Sequence, residues 1–228
     1  MSQPLRPSVL RHPECIHPRL WRASQLAAPV CATVSTGHPR LDAQLPGGGW
    51  PVGTLTELLS ARAGTGEIQL LGPALRHGRS VGRLIALVNP PLMPSATWLD
   101  HWLGGQRSLL WLRPQTAGDA LWAARTILEH GVCASLLCWF DAANGVALHR
   151  LHLAAQKADT LFFALRPLPA RFQASFAPLR LQIGHNPRGL DVRILKRRGP
   201  TLPDSITLPL HHGSLDQSSS ALHAGQSA

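Results

Sequence analysis

Apolar runs of strand length recur along this chain at intervals that leave room for a helix between them. They are residues 54–59 (TLTELL), 83–89 (RLIALVN), 109–112 (LLWL), 132–139 (VCASLLCW) and 160–165 (TLFFAL). Near-continuous apolar strands alternating with helices predict right-handed βαβ units, and hence an α/β fold with a mostly parallel sheet covered on both faces. The intervening segments agree. Residues 67–77 have helical spacing, although Gly72-Pro73 predicts a bend or an early end. Thr116-x-x-Asp119 has the form of a capping box ahead of Leu121, Ala124 and Leu128, and Gly131 supplies a left-handed stop. Residues 145–158 place Leu148, Leu151 and Ala155 on one helical face and His149, Arg150, Gln156 and Lys157 on the other. Shorter helices are predicted at 18–28 and 95–103.

Past Pro167 the pattern changes to period two. Residues 179–183 and 190–195 alternate around the turn GHNPRG (184–189), which predicts a hairpin forming an antiparallel edge of the sheet. Residues 1–30 read as an N-terminal segment with a short helix and 31–210 as the core domain. Residues 211–228 lack apolar periodicity and read as a disordered tail. A chain of 228 residues can bury one large core of this kind. No apolar run approaches the ~20 residues needed to cross a bilayer, and the N-terminus has no secretory pattern. Cys15, Cys31, Cys133 and Cys138 lack metal-ligand spacing, and His12, Cys15 and His17 have no fourth partner. The expectation is a soluble cytoplasmic protein with reduced thiols, no bound metal, no cofactor and no membrane contact.

The first strand runs into Ser60-Ala61-Arg62-Ala63-Gly64-Thr65-Gly66-Glu67. A working phosphate loop has the form G-x-x-x-x-G-K-[ST], in which backbone N–H groups wrap the phosphates and the lysine reaches the terminal ones. Gly64, Thr65 and Gly66 suit the tight turn, but Glu67 stands about where the cation belongs. An acid there repels a nucleotide.

Ser35-Thr36-Gly37, Leu41-Asp42, and LPGGGWP (45–51) leading into a strand with Glu57 resemble the entry to a RecA-type core. A fuller set of blocks, LPGGGWP, GTLTELL, GTGEIQLLGPAL, LFFALRP and GLDVRILKRRG, resembles the bacterial translesion DNA synthesis-associated ImuA family over roughly residues 21–210. That resemblance implies a RecA-like or SulA-like core and a role in damage-induced mutagenesis. It also implies partners: an ImuB-like homologue of Y-family polymerases, an alternative replicative-type DNA polymerase, and RecA or single-stranded DNA as further contacts. In the RecA pattern a water-orienting glutamate follows the second core strand, which here ends Asn89-Pro90-Pro91. The metal-holding aspartate would end the strand at 136–141, where Asp141 lies past Trp139-Phe140. With lysine and glutamate both missing, the expectation is a pseudo-ATPase without catalytic residues, with weak nucleotide binding left open. Two other functions fit the fold class: a DNA-dependent ATPase of recombinase type, and a SulA-like inhibitor of cell division.

Positive charge is concentrated rather than spread. Residues 166–198 hold eight basic side chains against the single acid Asp191. Arg193, Lys196, Arg197 and Arg198 end the second hairpin strand, and alternation predicts Arg193 and Arg197 on one side. This cluster is the candidate site for DNA or a DNA-bound partner, set against the alternative of a solvated strand edge. Glu57 and Glu67 admit two readings, an acid/base pair or a strand-end acid and a first-turn acid. Trp111 and Trp139 read as core, whereas Trp50, Trp98 and Trp102 fall in loop or short-helix positions that suit either core packing or a partner anchor.

Overall fold

The computed structural model describes residues 32–80, 82–92, 109–199 and 204–209. The predicted helices at 18–28 and 95–103, the tail, and His12, Cys15, His17, Cys31, Trp98 and Trp102 lie outside the described residues. Eight strands form the main sheet. They are β3 (Leu55–Ser60), β4 (Leu84–Val88), β5 (Leu109–Leu112), β6 (Cys133–Trp139), β7 (Leu161–Pro167), β8 (Leu179–Asn186), β9 (Gly189–Lys196) and β10 (Ile206–Leu208), in spatial order β10-β9-β8-β3-β7-β6-β4-β5. All pairings from β8 across to β5 are parallel, and β9 and β10 add on antiparallel. A ribbon of β1 (Thr33–Val34) and β2 (Trp50–Pro51) stands apart.

Alternation along the strands divides the core in two. Leu58, Phe163 and Leu181 point to one face with Leu70, Leu71 and Leu75 of α2 (Glu67–Ser80), alongside Leu41 of the single-turn α1 (Pro39–Asp42). Leu55, Phe162 and Leu136 point to the other, with Ala124 and Leu128 of α3 (Ala117–His130) and Leu148 and Leu151 of α4 (Gly145–Ala155). Helices therefore cover both faces, as the alternation predicts. The α3 boundaries follow the sequence signals closely: Asp119 N–H donates to Thr116 Oγ1 at 3.1 Å, the Thr116 hydroxyl donates back to Asp119 Oδ2 at 2.8 Å, and Gly131 closes the helix at φ 63°. Cys133 and Cys138 are buried free thiols, and burial pushes the pKa of each up.

Four local expectations are corrected. First, α2 passes through Gly72-Pro73 and continues to Ser80. The proline's missing N–H costs a helical hydrogen bond, but Leu70, Leu71, Ala74 and Leu75 are all fully buried, and that burial outweighs it. Second, α4 stops at Ala155 rather than 158, where Lys157 and Ala158 N–H turn to the Ala154 and Ala155 carbonyls. Third, the hairpin turn is only Pro187-Arg188, because residues 184–186 stay paired and Asn186 Oδ1 accepts the Arg188 N–H at 2.9 Å. The antiparallel edge that the hairpin predicts is present, with β10 added outside β9, while β8 itself joins the parallel part through β3. Fourth, Trp50 stands in a strand rather than a loop; its ring is fully buried and meets Phe163 edge-on at 5.3 Å, which is the core-packing reading and not the partner anchor. No helix among the described residues is long and apolar enough to cross a membrane.

Candidate functional site

The carboxyl ends of β3, β6 and β7 open on a cleft of about 230 Å³ lined by Ser60, Arg62, Glu67, Trp139, Asp141 and Arg166 among others. Crevices at this end of a parallel sheet are where α/β proteins take ligands. The glycine-rich turn borders it, with Gly64 at φ 80° and Gly66 at φ 115°, conformations that an L side chain strains to adopt. The turn aims backbone donors at one point, and Glu67 fills it. Gly64 N–H donates to Glu67 Oε1 at 2.7 Å and Gly66 N–H donates to Oε2 at 3.0 Å. The side chain is almost wholly buried. Glu67 thus does more than repel phosphate: its carboxylate takes the very donors that would cradle one. Thr65 is occupied too, its hydroxyl donating to the Arg62 carbonyl at 2.5 Å. Asp141 is exposed at the cleft rim, and Asn89, just after β4, sits in the left-handed region at φ 54°. The residues present do not fit a nucleotide and its metal.

Glu57 is elsewhere and makes no pair with Glu67. It lies inside the central strand, fully buried, on the α3–α4 face. Its Oε2 accepts Arg180 Nε at 2.7 Å, and its Oε1 accepts the Ser175 hydroxyl at 2.6 Å and Arg166 Nη1 at 3.5 Å. The same guanidiniums hold the segment after β7 and the turn before α4: Arg180 donates to the Ala170 and Gln173 carbonyls at 2.8 and 3.2 Å, and Arg166 to Gln173 Oε1 and the Ala143 carbonyl at 2.8 and 2.9 Å. Burial lowers the pKa of Arg166, and Glu57 opposes that fall. Sequence reasoning missed this network, yet a signal was present. Glu57 falls in line with Leu55 and Leu59, and a charge on a buried face needs charged partners, which Arg166 and Arg180 supply from otherwise apolar strands.

The basic cluster is split by a register shift. Arg180 pairs with Lys196 but Leu181 with Ile194, so Leu195 is an extra residue in β9. Simple alternation would set Lys196 opposite in sense to Arg193. The extra residue instead returns Lys196 to the Arg193 side, where its Nζ donates to the Ser175 carbonyl at 2.8 Å. Arg197 consequently turns the other way, its guanidinium donating to the Gln44 carbonyl beyond α1. The predicted grouping of Arg193 with Arg197 is therefore wrong; Arg193 and Lys196 share a face. Arg198 follows just past the end of β9, and its charge, with those of His149 and Lys196, adds to burial in lowering the pKa of His152 on α4. Arg193, Lys196 and Arg198 are exposed.

No family model matches this chain, and no curated protein does.

Proposed function

We infer that this protein is a catalytically silent accessory factor with a RecA-like core, acting as an adaptor for a polymerase complex in damage-induced translesion synthesis. The occupation of the glycine-turn donors by Glu67 carries the silent part of this reading: a site already holding an anion, without lysine, has no means of gripping a triphosphate. The adaptor part rests on the resemblance of the LPGGGWP and GLDVRILKRRG blocks to the ImuA family. The basic face formed by Arg193, Lys196 and Arg198 supports it as the side turned toward DNA or a DNA-bound partner.

Phosphate release from ATP, with and without single-stranded DNA, should stay at background. Pull-down with an ImuB-like polymerase homologue should retain that protein. DNA-stimulated turnover that Asp141→Ala abolishes would establish an ATPase instead. Failure to retain the polymerase homologue, with arrest of cell division on overexpression, would favour the SulA-like function.

A further inference from the structure

The segment between β7 and β8 exposes two aromatic rings while the backbone that carries them is held by side chains from the rest of the fold. Phe172 is 80% exposed and Phe176 is 56% exposed. The backbone between them is clamped by Arg180 on the Gln173 carbonyl, by Lys196 on the Ser175 carbonyl, and by the Ser175 hydroxyl on Glu57. Ala177 N–H is held by Ser175 Oγ at 3.1 Å. A segment fixed so thoroughly could have turned its phenylalanines inward. It presents them to solvent instead.

Both rings already face flat partners. The Arg171 guanidinium carbon lies 4.5 Å from the Phe172 ring centre, and His149 stacks on Phe176 at 4.2 Å with planes 28° apart. Lys196 reaches this segment, Arg193 shares its face of β9 and Arg198 follows two residues on; among the described residues none of these, nor Arg171, forms an ion pair with a carboxylate. The nearest acid on β9, Asp191, is engaged by Thr207 and Asn186 at 2.6 and 2.8 Å. Unpaired cations attract a polyanion, and exposed rings among them suit flat apolar groups attached to it. A single-stranded nucleic acid offers both, repeated along one chain. A purely apolar protein partner would leave the cations unmatched, and a duplex hides its base faces.

We propose that the 168–178 segment and the adjoining β9 face form a binding surface for single-stranded nucleic acid, with bases stacking on Phe172 and Phe176 and phosphates meeting Arg193, Lys196 and Arg198. This rests on the adaptor reading only in naming its DNA-facing side. Fluorescence anisotropy of the full chain with an oligothymidylate and with an abasic strand of equal charge, across a salt series, tests it. The wild type should prefer the base-bearing strand by about tenfold or more. Phe172→Ala/Phe176→Ala should erase that preference and keep the salt slope, whereas Phe172→Trp/Phe176→Trp should preserve the preference. Arg193→Ala/Lys196→Ala/Arg198→Ala should weaken both probes and flatten the log–log salt slope by about 2, for three phosphate contacts on a single strand. Equal binding of the two probes by the wild type, no binding of either, or binding only to phosphatidylglycerol vesicles would overturn the proposal. Retained polymerase pull-down in any of those cases leaves the adaptor reading standing.

Discussion

Replacing Glu57 with glutamine tests whether the buried triad organises this fold. The amide keeps the shape and one oxygen acceptor but removes the charge, and its NH₂ must face a guanidinium or a hydroxyl. Two short contacts dominate the loss, Arg180 Nε at 2.7 Å and Ser175 Oγ at 2.6 Å; Arg166 Nη1 at 3.5 Å is long and adds little as a hydrogen bond. Hydrogen bonds to a charged group contribute roughly 1.5–3 kcal/mol each. Their sum agrees with the ~3–5 kcal/mol cost of leaving one side of a buried ion pair without its partner. Arg166 and Arg180 are only 4% and 7% exposed, so water cannot readily take over the lost role. In a chain of this size that corresponds to a melting temperature lower by about 6–20 °C.

Urea unfolding followed by circular dichroism would read the change as a lower midpoint at unchanged slope. The control is removal of all the charge: Glu57→Leu/Arg166→Met/Arg180→Met should recover only part of the loss, because no buried charge is then left unpaired but the Ala143, Ala170 and Gln173 acceptors and the Ser175 hydroxyl lose their partners. A Glu57→Gln penalty below about 1 kcal/mol would refute the reasoning, since it would mean that solvent reaches the triad.

Two further outcomes follow from local geometry. His152 Nδ1 accepts the Leu55 N–H at 3.3 Å, and burial first, then His149, Arg198 and Lys196, lower its pKa. The unfolded chain thus takes up this proton more readily, so stability from this site is complete above about pH 6.5 and declines as pH falls below it; urea midpoints between pH 7.5 and 5 should record the decline, and His152→Asn, which keeps an acceptor, should remove it. Gly189 has φ 143°, and a Cβ there would collide with the Leu208 carbonyl, so Gly189→Ala should free β10 from β9, seen as faster amide exchange at 206–208 with the β3–β7 core still protected.

How much was legible depended on the range of the interaction. The α3 helix was readable at both ends because Thr116, Asp119 and Gly131 act within one turn of where they stand. The order of apolar runs gave the parallel sheet, since burial on both faces leaves a strand no polar side to show. Glu57, Arg166 and Arg180 come from three strands that become neighbours only after the sheet forms, so their pairing has no local mark beyond a charge in an apolar run. The extra residue at Leu195 left a faint mark, since Ile194-Leu195 puts two apolar residues side by side where alternation calls for one, but only the register against β8 identifies the shift. Glu67 was seen as a misplaced acid. Its hydrogen bonds to Gly64 and Gly66 depend on two left-handed glycines folding the turn back on the side chain, which glycine content alone does not fix.

Arg166 joins the two halves of the candidate site. It lines the cleft beside the filled turn, and its other contacts reach Glu57 and Gln173 in the segment that carries the phenylalanines. In a nucleotide-responsive protein, the charge at such a crevice changes when phosphate arrives or leaves, and a neighbouring guanidinium can pass the change on. Here the anion in the turn is covalently attached, and it neither arrives nor leaves. The 168–178 segment should therefore keep one arrangement whatever nucleotide is present, and oligothymidylate affinity should be the same with ATP, with ADP and with neither. Anisotropy titrations with each nucleotide in magnesium buffer measure this directly. A nucleotide-dependent change of more than about threefold, or ~0.7 kcal/mol, would show that phosphate displaces Glu67 from the turn and that the site is not silent.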